Sequence, residues 1–176
     1  MVSDPSSREA SGDITSRDWL AAVQYQIRTA RITDAERIVT LLEAATRHGG
    51  VSTGVPSGAG DLLRQLVGLP HAVVLVADAG RRLAGAGILA LRPSIGHGGY
   101  VGTVDVLVAD PVIASSDLTD ALLAELLRSA RNKGCVLVEA EPPADPAERD
   151  RWMANGFLEA APQIVRNVAP IGAGRT

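Results

Sequence analysis

Three strand-like segments follow one another in the middle of the chain, and helix-like segments stand on both sides of them. The three segments read HAVVLVAD, RRLAGAGILALRPS and GHGGYVGTVDVLVADP. Ala79-Gly80 lies between the first two, and a short glycine-containing turn of this kind favours a hairpin of antiparallel strands. Consecutive strands flanked by helices restrict the chain to mixed α/β architectures.

The helical segments carry recognisable start signals, stop signals and apolar stripes. TDAERIVTLLEAATRHGG opens on Thr33, a good N-cap residue, and closes on two glycines. DLLRQLVG predicts a short second helix, and SDLTDALLAELLRSARNKG predicts the longest one. The residues that form the apolar stripes of the first and longest helices are Ile38, Leu41, Leu42, Ala45, Leu118, Leu122, Leu126 and Leu127.

The remaining segments complete the order of elements. QYQIRTARI predicts a first strand, CVLVEAE a buried strand, DPAERDRWMANGF a short helix, and LEAAPQIVRNVAP one or two final strands. The order β-α-α-β-β-β-α-β-α-β predicts a three-layer α/β/α sandwich with a central mixed, mostly antiparallel sheet. We expect a disordered or partly helical leader at 1–24, one domain at 25–169 and a flexible tail at 170–176.

Composition excludes several classes of function. The net charge of −3 and the aromatic content of 3% argue against nucleic acid and anionic membranes as partners. The single cysteine, Cys135, lies in an apolar run and is expected to be a buried structural thiol. The three histidines are scattered, so no metal site is expected. No apolar run is long enough to span a membrane, which makes the cytoplasm the default location.

Three segments of this sequence resemble the GNAT superfamily of acyl-CoA-dependent N-acetyltransferases. VDVLVADP with the long helix after it is similar to the family's fourth strand and cofactor-binding helix. RWMANGF is similar to the family's Tyr-x-x-x-Gly-Phe segment, and IRTARITDAERIVTLL to its first strand and helix. The resemblance covers roughly residues 25–169. It implies an α/β/α fold, an acyl-CoA cosubstrate such as acetyl-CoA, and an amine acceptor.

The resemblance also implies where the cofactor would bind. In the family, main-chain groups of the fourth strand pair with the pantetheine arm, and the matching segment here is Leu107, Val108 and Ala109. A loop of pattern Arg/Gln-x-x-Gly-x-Gly/Ala then holds the pyrophosphate with its N–H groups at a helix N-terminus. The candidate cofactor-binding residues in this loop are Ser115, Ser116, Asp117, Leu118 and Thr119.

The loop departs from the family pattern at its three defining positions. Ala114 stands in place of the basic or amide residue, Asp117 in place of the first glycine, and Thr119 in place of the second small residue. One interpretation is that the loop still binds the cofactor through hydroxyl groups and main-chain amides. The other is an ordinary capped helix, in which the Asp117 carboxylate takes the place of the anion. At ~5 Å and an effective dielectric constant of ~20, that carboxylate would cost a phosphate about 3 kcal/mol.

The catalytic groups that the resemblance implies are only partly present. Asp105 stands near the family's glutamate base on the fourth strand, and a relaying water would compensate for its shorter side chain. Thr103 is expected on the same face of that strand. Trp152 occupies the position of the family's tyrosine acid, and an indole N–H does not deliver a proton at neutral pH. Tyr100 is another candidate acid by residue type.

Three hypotheses of function therefore stand side by side. The first is a divergent N-acyltransferase that moves an acyl group from acetyl-CoA to an amine of a small molecule or protein. The second is a noncatalytic module of the same fold, used in regulation or protein binding. The third is a binding module for another small ligand in the same cleft. An edge strand near the C-terminus would allow pairing between subunits, so a homodimer is one expected assembly.

Overall fold

The computed structural model of the chain describes residues 24–48, 54–113 and 116–160, with Ser116 described in its backbone only. These residues belong to two compact units that divide between Ala140 and Glu141. The predicted leader up to residue 23 and the predicted tail at 170–176 lie outside the described residues.

The described residues form five strands and four α-helices. The first unit contains β1 (Gln26–Thr29), α1 (Ala35–Arg47), α2 (Ala59–Gly68), β2 (Ala72–Asp78), β3 (Leu83–Ser94), β4 (Gly99–Ala109), α3 (Ser116–Asn132) and β5 (Cys135–Ala140), and the second contains α4 (Pro146–Ala154). This order agrees with the predicted one as far as α4. Most of the predicted final strand lies outside the described residues.

The five strands form one mixed sheet in the order β1-β2-β3-β4-β5. The pairings from β1 to β4 are antiparallel, and β4 pairs with β5 in parallel. The turn between β2 and β3 contains Gly80 with φ of 83°, a left-handed conformation that suits glycine. The predicted hairpin and the mostly antiparallel sheet are therefore confirmed.

Helices cover both faces of this sheet, and alternate residues of β3 show which helix covers which face. A Cβ on Gly85 or Gly87 would lie 2.8 Å from a leucine methyl of α3, so these glycines let α3 approach the strand closely. Ala86 and Ile88, on the opposite face, belong to a buried cluster with residues of α1 and α2. The members from the two helices are Ala35, Ile38, Leu41, Ala45 and Leu63. The predicted three-layer sandwich is confirmed.

Helix α1 begins differently from its prediction. A short 3-10 turn, Ile32–Asp34, precedes the helix, which begins at Ala35. Thr33 therefore lies inside the turn, where it is exposed, and the prediction of Thr33 as the N-cap is wrong. Asp34 takes the N-cap position without a side-chain capping bond, because its carboxylate binds two arginines instead.

Those two arginines and two aspartates form a partly buried ion-pair cluster. Arg28 and Arg37 each donate to both Asp34 and Asp78, so the cluster joins β1, β2 and the start of α1. Hydrogen bonds from Arg28 lower the pKa of Asp34 to about 2, although burial of the carboxylate acts in the opposite direction. Hydrogen bonds from Arg28 and then Arg37 lower the pKa of Asp78 to about 2 as well.

Strand β5 differs from the prediction of a fully buried strand. Val136 is 58% exposed and Leu137 is 42% exposed, so that prediction is wrong. Within the described residues, β5 stands at the edge of the sheet, where β4 is its neighbour on one side and α3 contacts it. Cys135 is half-buried, and burial raises the pKa of its thiol above the ordinary value.

Candidate functional site

Strand β4 continues beyond its pairing with β5. The parallel register runs from Tyr100 opposite Cys135 to Val104 opposite Ala140, whereas β4 extends to Ala109. On its other side, β4 remains paired with β3 up to Ala109. Because β5 ends at Ala140, the parallel pairing ends after Val104. Residues 105–109 of β4 present one edge that pairs with no strand in the described part of the chain, and this edge is called the open edge below.

Two residues of β4 direct their main-chain groups to the open edge. The Asp110 N–H donates to the Ala84 carbonyl at 2.8 Å, which shows that Asp110 faces β3. Because main-chain groups alternate in direction along an antiparallel pair, Val108 also faces β3. Leu107 and Ala109 then direct their N–H and C=O groups away from β3. Of the three strand residues predicted to hold the cofactor, these two have main-chain groups in a position to pair with an extended ligand.

A β-bulge lies at the beginning of the open edge. Ile88 pairs with Val106 and Leu89 pairs with Val104, which leaves Asp105 as an extra residue on β4. Asp105 is exposed, and its carboxylate makes no hydrogen bond or ion pair within the described residues. Bulges of this kind re-aim side chains and are frequent beside active sites. The predicted base thus stands in solvent at the point where the pairing of β4 with β5 ends.

The bulge changes the expected relation between Thr103 and Asp105. A two-residue spacing puts side chains on one face only in a regular strand. Val104 pairs with Leu89 and lies on the same face as Leu89, whereas Val106 pairs with Ile88 and lies on the same face as Ile88. These two faces are opposite, so the extra residue interrupts the alternation of β4. The register gives Asp105 no partner and therefore no face, so the prediction that Thr103 and Asp105 share a face of β4 stays a prediction.

Thr103 instead contacts Glu139 of β5, a residue to which the sequence analysis assigned no role. The Thr103 hydroxyl donates to Glu139 Oε1 at 2.9 Å, and Arg92 Nη2 donates to the same oxygen at 3.2 Å. Thr103 and Glu139 are direct partners in the pairing of β4 with β5, one pair before Val104 and Ala140. The available signal was a single carboxylate in the otherwise apolar segment CVLVEA.

The open edge leads into a turn and then into the N-terminus of α3. The Asp110 carboxylate accepts the Val112 N–H at 2.8 Å, and the Ile113 N–H donates to the Asp110 carbonyl at 3.0 Å. Helix α3 begins at Ser116, so its first N–H groups and the positive end of its dipole follow the turn. Arg82 lies 3.6 Å from the Asp110 carboxylate and forms an ion pair with it.

The predicted loop residues differ in what they can offer a ligand. Asp117 is exposed and acidic in the first turn of α3, and Thr119 is half-buried. Leu118 is 1% exposed and packs beside Gly85 of β3, so only its main chain could contact a ligand. Ser115 and the side chain of Ser116 lie outside the described residues.

The two candidate proton donors occupy different places. Tyr100 lies near the start of β4, where it stacks on His71 with ring centroids 6.4 Å apart. Val104 is four positions further along the strand, which corresponds to about 13 Å. Trp152 belongs to α4 in the second unit and packs edge-to-face on Phe157, with centroids 4.7 Å apart.

Within residues 24–48, 54–113 and 116–160, no group of three or more His, Cys, Asp and Glu side chains could hold a metal ion. No helix in these same ranges combines the length and the apolar character needed to cross a membrane.

Comparison with known proteins gives a clear result for structures and none for sequences. No protein-family model and no curated protein matches the chain. A Trypanosoma brucei acetyltransferase superposes with a TM-score of 0.64 at 21% identity, over 82% of this chain and 100% of that one. Glucosamine-6-phosphate N-acetyltransferase from Arabidopsis thaliana superposes with a TM-score of 0.65 at 16% identity, over 82% of this chain and 98% of that one.

The similar structures also include a protein of another stated class. A transcriptional regulator from Bacillus halodurans C-125 gives a TM-score of 0.66 at 15% identity, over 82% of this chain and 99% of that one. At such identities the likeness establishes the fold and leaves the activity to be argued from the site.

Proposed function

We propose that this chain, which has the fold of the GNAT acetyltransferases, binds an acyl-CoA, such as acetyl-CoA, and transfers the acyl group to an amine. The observation that carries the proposal is that β4 continues to Ala109 after its pairing with β5 has ended at Val104. It leaves main-chain groups of Leu107 and Ala109 on an edge that leads to the N-terminus of α3. An extended, amide-containing molecule that ends in phosphates matches this order of groups.

Main-chain pairing would hold the pantetheine arm. Its amides can add to the open edge as a further strand would, and such pairing tolerates changes of side chain. Leu107 and Ala109 would pair directly, and Val108 would support them from the core, where its side chain is buried.

The first turn of α3 would hold the pyrophosphate, with less affinity than a glycine loop. The N–H groups at a helix N-terminus attract an anion, and hydroxyls of Ser115, Ser116 and Thr119 would add donors. The Asp117 carboxylate opposes this by about 3 kcal/mol at ~5 Å.

The transfer itself needs one proton acceptor and one proton source. The amine nitrogen attacks the thioester carbonyl, the new C–N bond forms, and the C–S bond breaks. Asp105, exposed in the bulge, would take the amine proton through a water molecule. The coenzyme A thiolate would take its proton from solvent, because an indole such as that of Trp152 does not supply one.

Calorimetric titration with acetyl-CoA tests the proposal. The wild type should bind, and Asp117→Gly should bind about a hundredfold more tightly, because it removes the opposing carboxylate. Asp61→Gly is the matched control, since Asp61 is an exposed first-turn aspartate of α2 and should leave the affinity unchanged. Absence of binding by both the wild type and Asp117→Gly would refute the proposal.

A noncatalytic regulatory or protein-binding module is the second candidate. Two departures from the family pattern favour it. Asp117 in the first turn of α3 alters the pyrophosphate loop, and Trp152 replaces the tyrosine that serves as the acid. The Bacillus halodurans transcriptional regulator superposes as well as the acetyltransferases do. This candidate predicts that acetyl-CoA changes neither the melting temperature nor the calorimetric signal.

A further inference from the structure

Glu139 is a carboxylate with two ordered donors at the point where the pairing of β4 with β5 ends. Its Oε1 accepts hydrogen bonds from Thr103 of β4 and from Arg92 of β3. Three neighbouring strands therefore each contribute one member of this group. We infer that Glu139 binds the acceptor amine in its ammonium form and so selects amines that are cationic at neutral pH. The bound ammonium loses one proton to Asp105 through water before the neutral nitrogen attacks, and the second proton leaves to solvent as the amide forms. The inference rests on the acyl transfer proposed above and adds the acceptor side of the same site.

The position of Glu139 is the first argument. The pair Thr103–Glu139 directly precedes the last pair of the two strands, and Asp105 in the bulge is two residues beyond Thr103. One residue of a strand corresponds to about 3.3 Å. An acyl group that follows the open edge from residue 109 toward residue 105 would thus end two residues, about 7 Å along the strand, from the pair Thr103–Glu139. The amine that attacks it must bind at the same place.

The face of the sheet is the second argument. Thr103 pairs with Ala90, which lies on the Ile88 face of β3, and Arg92 follows on the same face. Glu139 pairs with Thr103 and so shares this face. The opposite face of the sheet is packed by α3. The three polar side chains therefore lie together on the face that also carries α1 and α2.

Exposure and charge are the third argument. A quarter of the Glu139 side chain is accessible, compared with 51% for Arg92, so the carboxylate is the less solvated partner but is still open to a ligand. Ion pairs this exposed contribute little to stability. A fixed, partly desolvated carboxylate does form strong charge-assisted hydrogen bonds with an ammonium group. Thr103 donates to Oε1, and Arg92 Nη2 donates to both Oε1 and Oε2, which orients the carboxylate.

Steady-state kinetics with defined amines test the inference, with release of the coenzyme A thiol as the readout. The cationic probes are n-hexylamine, spermidine and alanine amide, and the neutral probe is 4-methylaniline. We expect the wild type to acetylate at least one cationic probe with a lower KM than the neutral one. Glu139→Gln should raise that KM at least tenfold, with the KM for acetyl-CoA within twofold and the neutral probe unaffected.

Two further variants separate amine binding from a structural role. Glu125→Gln is the matched control, because Glu125 is 28% exposed and paired with Arg128, but belongs to α3 on the other face of the sheet. It should leave every KM unchanged. Thr103→Val keeps the carboxylate and removes one hydroxyl that orients it, so it should raise the KM for the cationic probe about threefold. This variant also serves if Glu139→Gln does not fold.

The outcomes distinguish this inference from the proposed function. If the wild type binds acetyl-CoA by calorimetry but acetylates no cationic probe, the inference alone is overturned. The same holds if the KM for the cationic probe is equal in the wild type, Glu139→Gln and Thr103→Val. An equal rise of KM in Glu125→Gln would also overturn it. If the wild type does not bind acetyl-CoA, the proposed function fails and this inference fails with it.

Discussion

Arg28 and Asp34 are joined by two hydrogen bonds, from Nη1 to Oδ2 at 2.7 Å and from Nη2 to Oδ1 at 3.1 Å. The Asp34 residue is 2% exposed, and Arg37 and the Arg31 N–H also donate to its carboxylate. A buried carboxylate with this many donors holds the start of α1 against β1. The stability of the first unit should therefore depend on it strongly.

Asp34→Ala should lower the free energy of unfolding by about 3 kcal/mol, because it leaves two arginines beside an empty position in a partly buried cluster. Urea unfolding followed by circular dichroism measures the change. Asp61→Ala removes an aspartate that pairs with Arg64 on the surface and should cost less than about 1 kcal/mol. Equal costs in the two variants would contradict a special role for Asp34.

Acid should weaken the protein through the same cluster. The pKa values of Asp34 and Asp78 are about 2 in the folded chain, below the ordinary value of 3.8. Groups with a lowered folded pKa contribute stability that is fully present above the unfolded pKa and is lost as the pH falls through the folded pKa. Stability should thus fall between about pH 4 and pH 2, and less steeply in Asp34→Ala. Parallel pH profiles of wild type and variant would contradict this.

Gly85 should not tolerate a side chain. A Cβ there would lie 2.8 Å from Leu122 Cδ1 and 2.9 Å from the Val108 carbonyl oxygen, and a carbonyl of a paired strand cannot move aside. Gly85→Ala should lower the free energy of unfolding by about 2 kcal/mol through overpacking. Gly96→Ala, which meets nothing within 4 Å, should be neutral in the same thermal unfolding assay.

Asp105→Asn should reduce kcat for acetyl transfer about a hundredfold, because an amide does not accept the amine proton. Binding of acetyl-CoA should remain unchanged, since the open edge uses main-chain groups. Thiol release and calorimetry measure the two effects separately. A variant with full activity would show that another group, or solvent alone, takes the proton.

Trp152→Phe should leave kcat within about twofold, because the indole of Trp152 delivers no proton and phenylalanine keeps the edge-to-face packing on Phe157. The same thiol assay measures it. Trp152→Ala should instead lower the melting temperature, since it removes that ring contact. A tenfold loss of kcat in a well-folded Trp152→Phe would assign the indole a part in the reaction.

Local periodicity was sufficient to predict most of the fold. The leucine stripe of α3, the glycine turn between β2 and β3, and the Asn155-Gly156 end of α4 are properties of neighbouring residues. Each depends on short-range geometry that the residue types themselves impose. Thr33 was mispredicted because the Asp34 carboxylate pairs with Arg28 and Arg37, and β5 was mispredicted because it lies at the sheet edge within the described residues.

The sequence by itself determined which segments are strands and helices, and that Asp117 and Trp152 depart from a known pattern. Only the tertiary structure decided that the pairing of β4 with β5 ends after Val104, that Asp105 occupies a bulge, and that Glu139 meets Thr103 and Arg92. The physical reason is strand register. One extra residue in a strand changes which face each later side chain occupies, and register depends on the packing of whole strands rather than on neighbours in the sequence.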